Sequence, residues 1–331
     1  MKKHLFTLVI VALLISACSS SQAVNTPEPT EVSEVTNTPE PTATSAPPTE
    51  TPIPSPTATP PPTPTEKPYE KMSNISYADG DSRQKLDVYV PTSGEGPFPT
   101  LLVFHEGNLN SGSKADVRNQ ALYFVEQGYA VVTPNHRLTP QYTYPAQVQD
   151  AFCALAWIHA NADTYHFDTG RIVALGFVSG GNLAAMLGVV DDPTPYMEDC
   201  PHDLPEENWI QGIATFTGIF DFTNDVYGRY AEREHYVAYL GGELDEVPEI
   251  WREASPINWV DGSDASFLLI HGSSSGERID SGESTRFWNT LQEAGVEAQL
   301  SIVDTNHTVF RESVSSYGAV EALFARISEQ P

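Results

Sequence analysis

The chain has 331 residues, with 44 acidic against 17 basic side chains and a formal net charge of −27. A polyanion of that strength does not neutralise phosphates, which excludes nucleic acid as a partner. Three cysteines are too few for a disulfide framework or a cysteine-rich zinc module, and 27 prolines point to a stretch that is not globular.

That stretch lies near the N-terminus. Met1-Lys2-Lys3-His4, an apolar run from Leu5 to Ile15 and then Ser16-Ala17 make a secretory signal over residues 1–17, too short to span a bilayer as a mature helix. Ile15-Ser16-Ala17-Cys18 resembles a bacterial lipobox, which implies acylation of Cys18 and a membrane-anchored, exported protein. From Ser19 to Pro68, fourteen of fifty residues are Pro and twelve are Thr, with no Leu, Met or aromatic residue. Such a segment has nothing to bury, so residues 18–68 read as a lipid-anchored, disordered linker with polyproline character.

Residues 69–331 form the folded unit. Strands are predicted over Asn74–Tyr77, Lys85–Val90 and Leu101–Phe104, the last an unbroken apolar run suited to burial on both faces. A helix over Ala115–Gln127 stops at Gly128, a strand follows over Tyr129–Thr133, and Pro145 opens a helix to about Ala160. The alternation goes on with strands at Arg171–Gly176, Ile210–Phe216, Phe267–His271 and Ala298–Val303. Helices are predicted at Gly180–Val190, Ser284–Ala294 and Val314–Ile327. Repeated β-α units predict an α/β fold, a mainly parallel sheet covered by helices on both faces. Ligand sites then form beyond the carboxyl ends of strands, at the loops after Phe104, Gly176, His271 and Val303. Residues 191–208 and 221–262 read as excursions. Cys153 and Cys200 either form one disulfide, as an exported domain allows, or stay as two thiols.

Those four loops carry recognisable text. Gly176-Phe177-Val178-Ser179-Gly180-Gly181 resembles the nucleophile elbow of α/β-hydrolases, in the esterase/lipase group related to feruloyl esterases. His105-Glu106-Gly107-Asn108-Leu109 resembles its oxyanion loop, His136-Arg137-Leu138-Thr139-Pro140 its approach to the elbow, and Asp304-Thr305-Asn306-His307 its histidine loop. The match extends over nearly all of residues 72–328.

The resemblance implies a serine nucleophile, a histidine base, an orienting acid and backbone donors for an oxyanion. This chain departs from that pattern. Val178 stands at the serine position, with Ser179 one residue later. The acid position falls on Ser275 or Gly276, leaving Glu277 or Asp280 as relocated candidates, while His307 matches the catalytic histidine. Glu106 and Asn108 replace glycines, and only Gly107 remains. His105, Glu106, Asn108 and His307, with His136, are the expected pocket lining, and Tyr142, Tyr144, Tyr227, Tyr230 and Trp251 could border the cleft. No spacing signature for a metal is present, and no cofactor is implied.

Two functions follow. One is a catalytically impaired relative of carboxylic-ester hydrolases, serving as an extracytoplasmic binding or scaffold protein for a small acyl-ester or carbohydrate ligand. The other is an active esterase using Ser179, His307 and a relocated acid. The text leaves oligomeric state open.

Overall fold

The computed structural model describes residues 67–224, 233–274, 279–306 and 313–329. The signal, Cys18 and nearly all of the linker lie outside them, as do Ser275, Gly276, Glu277, His307, Tyr227 and Tyr230. The described residues belong to one unit running from Thr63 to Pro331.

Eight strands form a single sheet: β1 (Tyr69–Ser76), β2 (Lys85–Pro91), β3 (Phe98–Phe104), β4 (Ala130–Pro134), β5 (Phe167–Phe177), β6 (Gly212–Phe216), β7 (Ser266–Gly272) and β8 (Ala298–Val303). Their order is β1-β2-β4-β3-β5-β6-β7-β8. The pairs β1–β2 and β2–β4 are antiparallel and every later pair is parallel. Leu101 and Val103 enter one apolar cluster while Leu102 and Phe104 enter the other. The period of two thus sends an unbroken apolar run into two cores, each buried leucine or phenylalanine contributing roughly 2 kcal/mol.

Helices α1 (Arg118–Glu126) and α8 (Val314–Glu329) fill one cluster. Helices α2 (Ala146–Ala160), α4 (Ser179–Val189) and α7 (Gly282–Ala294) fill the other, beside the short α3 (Ala162–Tyr165). All eleven residues of α4 are buried, as befits a helix apolar on every side. No described helix is long and apolar enough to cross a membrane.

Some boundaries differ from the sequence reading. The α1 helix starts at Arg118 rather than Ala115, because the Asp116 carboxylate accepts the Ser113 N–H and holds a turn there. Strand β5 starts at Phe167 rather than Arg171, since Phe167 and Asp168 pair with Phe98 and Pro99 across an irregularity in the ladder. The 221–262 excursion contains helices α5 (Arg233–Leu240) and α6 (Pro248–Glu253), whose polar composition hid them. The 191–208 excursion is stapled to α2 by a Cys153–Cys200 disulfide with Cα atoms 5.4 Å apart.

Candidate active site

Strand β5 ends at Phe177 and α4 begins at Ser179, so one residue makes the turn between them. That residue is Val178, at φ 51° and ψ −110°. A β-branched side chain is a genuine outlier at positive φ, so the surrounding packing must impose it. The main constraint is close approach of backbone to backbone. A Cβ on Gly180 would sit 2.5 Å from the His105 carbonyl oxygen and 2.6 Å from that of Phe104, so only glycine lets α4 start against the end of β3. The Val178 N–H donates to the Phe216 carbonyl at 2.9 Å, tying the tip to β6.

Ser179 is 1% exposed, and its Oγ is buried with no hydrogen-bond partner. One helical turn on, the buried Asn182 amide donates to the Ile219 and Ala254 carbonyls and pins the loop after β6. The half-buried Val178 thus makes the turn, packed against the core, and the buried Ser179 is the first residue of the helix.

The loop after β3 forms the neighbouring wall. Gly107, Asn108 and Leu109 take φ values of 131°, 51° and 62°, three left-handed residues in a row. The Gly107 carbonyl accepts from the Asn110 and Ser111 N–H groups, and the Leu109 carbonyl from Thr139 N–H. Leu109 is fully buried as the loop's anchor, whereas Glu106 and Asn108 are half-buried. The Asn110 amide donates to His235 Nδ1 at 2.7 Å, joining this loop to α5.

His105, expected in the pocket lining, lies instead beneath the loop with no accessible surface. Its ring stacks on His136, with centroids 4.4 Å apart and planes 13° from parallel. Each Nδ1 meets the carbonyl of the next residue, Glu106 at 2.7 Å and Arg137 at 2.9 Å, which makes Nδ1 the protonated nitrogen. Each Nε2 is buried without a partner. Burial lowers His105 to about 4 and holds His136 well below its ordinary value, so both rings are neutral. Arg83 braces the pair, donating to the His136 and Gly112 carbonyls at 2.9 Å each.

The approach segment has a structural task. Arg137 Nε lies 3.0 and 3.1 Å from the two oxygens of the buried Asp150, which also accepts from Gln84 at 2.7 Å. Burial raises the Asp150 carboxyl and the Arg137 contacts oppose it. Tyr144 and Trp251, candidate cleft aromatics, are buried in the core, and Tyr142 donates to Asp81.

Of the candidate acids, Asp280 is described. It is exposed, and its Oδ1 accepts the Gly282 N–H at 2.8 Å, so it serves the start of α7. The buried carboxylate in this region is Glu283, which the sequence reading missed. It accepts from the Phe220 and Asp221 N–H groups at 2.8 and 2.7 Å and pairs with Arg286. The signal was its place on a stripe with Phe287 and Leu291, four residues apart, where a carboxylate is out of keeping. His271, also buried, donates from Nε2 to the Ile279 carbonyl and accepts from Ser284 at Nδ1.

Among the described residues, one group of carboxylates is close enough to share a cation. Asp191, Asp261 and Asp264 place oxygens within 4.8 Å of one another, two of the three being exposed. They lie at the amino end of β7, away from the elbow, where Asp191 and Asp264 border a cavity of about 620 Å³.

A strand, a one-residue left-handed turn and a fully buried helix thus face a loop of left-handed residues across the carboxyl ends of parallel strands. The BD-FAE family model matches residues 86–291, which hold all of these elements. The chain belongs to the BD-FAE family. Among its relatives, esterase LipC of Mycobacterium tuberculosis is 30% identical over 242 residues, covering 68% of this chain and 56% of LipC. The chain spans about half the length of the curated relatives it matches. Among solved structures, a truncated carbohydrate esterase from gut microbiota superposes with a TM-score of 0.69 at 22% identity, over 81% of this chain and 99% of that one. A bifunctional GH43-CE protein of Bacteroides eggerthii gives 0.68 at 26% identity, over 78% of this chain and 38% of its own. The fold is that of an α/β-hydrolase, within an esterase group. In this BD-FAE chain, Val178 occupies the elbow tip and the buried Ser179 opens the helix after it.

Proposed function

We propose that this chain is a catalytically impaired relative of the carboxylic-ester hydrolases, acting as a binding or scaffold protein. The observation that carries this reading is Val178 at the elbow tip, with the adjacent Ser179 hydroxyl buried and without a partner. Acyl transfer needs a nucleophilic atom at the tip, and valine has none. For Ser179 to serve, its buried Oγ must become accessible to a substrate, and the close contact of Gly180 with β3 holds the start of the helix in place.

Two further features support the reading. Glu106 stands in the oxyanion loop, and a carboxylate about 4 Å from a nascent oxyanion repels it by about 4 kcal/mol at an effective dielectric near 20. That is as much as one oxyanion donor is worth. Asp280 is engaged at the helix start in open solvent, a poor place from which to orient a histidine.

The ligand is a small acyl ester or carbohydrate, a class taken from the names of the relatives and neighbours. The protein is exported and held to a membrane through acylated Cys18, the 18–68 linker displaying the domain. The test is a short-chain p-nitrophenyl ester assay with fluorophosphonate labelling, on the wild type and Ser179→Ala. Absence of turnover and of adduct agrees with the proposal. Turnover or labelling lost in Ser179→Ala establishes the active-esterase reading instead.

A further inference from the structure

Neither reading of the site uses the stacked His105–His136 pair, although both rings are fully buried and titratable. We propose that this pair is an acid-released latch on the loop from Glu106 to Gly112, one wall of the elbow site.

The geometry assigns the protons. Both Nδ1–H groups are spent on backbone carbonyls, so both Nε2 atoms are lone pairs, buried and facing no donor. Protonating either ring creates an N–H⁺ at Nε2 with no acceptor, against a second imidazole with its centroid 4.4 Å away. The charged surroundings of the pair come from several elements. Arg83, from the β1–β2 connection, puts a cation beside both rings, and the amino end of α4 abuts the His105 carbonyl. Arg137 and Lys114 are matched by Asp150 on α2 and Asp87 on β2. Asp116 is the carboxylate that favours a charged His105, and it is outweighed by burial. The half-buried Glu106 carries its own carboxylate on the loop itself.

The loop depends on the ring. The His105 Nδ1–H holds the Glu106 carbonyl, and a Cβ on Gly112 would lie 2.6 Å from His105 Nδ1, so the far end of the loop closes directly on the imidazole. Expelling a charged His105 therefore opens the loop at both ends and removes the wall carrying Glu106 and Asn108.

The sign follows from linkage. His105 titrates at about 4 when closed and near 6.5 when released, so the closed loop is fully favoured above pH 6.5 and loses ground as pH falls toward 4. At pH 5, His105 alone shifts the open-to-closed ratio about 30-fold, and His136 adds to this.

The experiment is hydrogen exchange of the full chain at pH 7 and pH 5, corrected for the intrinsic pH dependence of exchange. Peptides covering residues 105–112 are compared with 172–177 in β5. Protection of the loop falls about 30-fold or more while that of β5 holds, and the fall shrinks in His136→Phe, which keeps the stacking and removes one base. Loop protection that does not change with pH, a loop already open at pH 7, or an equal loss in β5 overturns the proposal. Should His136→Phe not fold, histidine NMR on the wild type decides. Two rings neutral at pH 5 support the latch, and a His105 titrating near 6.5 overturns it.

Discussion

Replacing Val178 by glycine and by alanine isolates the backbone of the elbow. Both changes remove the same γ-carbons, so lost packing largely cancels between the two variants. What differs is one Cβ at φ 51° and ψ −110°. Inside ordinary structure, glycine is less stable than alanine by about 0.5–1 kcal/mol, because it has more freedom to lose. A non-glycine residue held in a sparsely populated region stores of order 1–3 kcal/mol, which glycine releases. The strain exceeds the entropy, so Val178→Gly is the more stable variant, by about 1 kcal/mol. For a domain of this size that is a gap of about 2–4 °C in Tm, measurable by calorimetry or urea titration. A stability order with alanine above glycine by about 0.5–1 kcal/mol would rule out backbone strain at this position. Residue 178 would then have ordinary backbone and would not be the tip of a strained turn.

Three further outcomes follow from the structure. Cys200→Ser opens a staple across a sequence separation of 47 residues, worth about 4 kcal/mol by the chain-entropy relation. Urea midpoints should fall in the variant and in reduced wild type alike, with no further effect of reductant on the variant. Burial, with the Asp261 and Asp191 charges, raises the Asp264 carboxyl to about 7. Its folded pKa lies above the unfolded one, so its contribution is present below about pH 4 and lost as pH rises toward 7. Asp264→Asn should therefore raise the unfolding free energy at pH 8 by on the order of 2 kcal/mol, once partial exposure is discounted, and leave that at pH 4 unchanged. Val178→Ser puts a hydroxyl at the elbow tip but leaves Glu106 in the oxyanion loop. Ester turnover should stay near background in that variant, and recovery to a level typical of esterases would show the remaining machinery to be intact.

Apolar runs made the sheet legible. Leu101–Phe104, buried on both faces, reads as a central parallel strand because nothing in it is polar. The elbow was equally legible, since Gly176, Gly180 and Gly181 mark close backbone approach before any side chain is considered. Helices α5 and α6 were not, because their polar surfaces carry little apolar periodicity. The site read less well than the fold. His105 looks like a pocket residue by its place in the loop, and only the three-dimensional stack on His136, thirty-one residues away, explains its burial. Glu283 was visible as a carboxylate on an apolar stripe, but its partners at Phe220 and Asp221 lie across the sheet's carboxyl edge. Cysteine spacing likewise says nothing about the distance between α2 and residue 200, which decides the bridge.

The elbow carries valine at its tip and buries the adjacent serine. Intact-mass analysis of the purified protein after fluorophosphonate treatment, with p-nitrophenyl butyrate turnover on the same sample, tests it most directly. An unmodified mass and hydrolysis no faster than in Ser179→Ala are expected. A stoichiometric adduct mapped to Ser179, with turnover that disappears in Ser179→Ala, would contradict it.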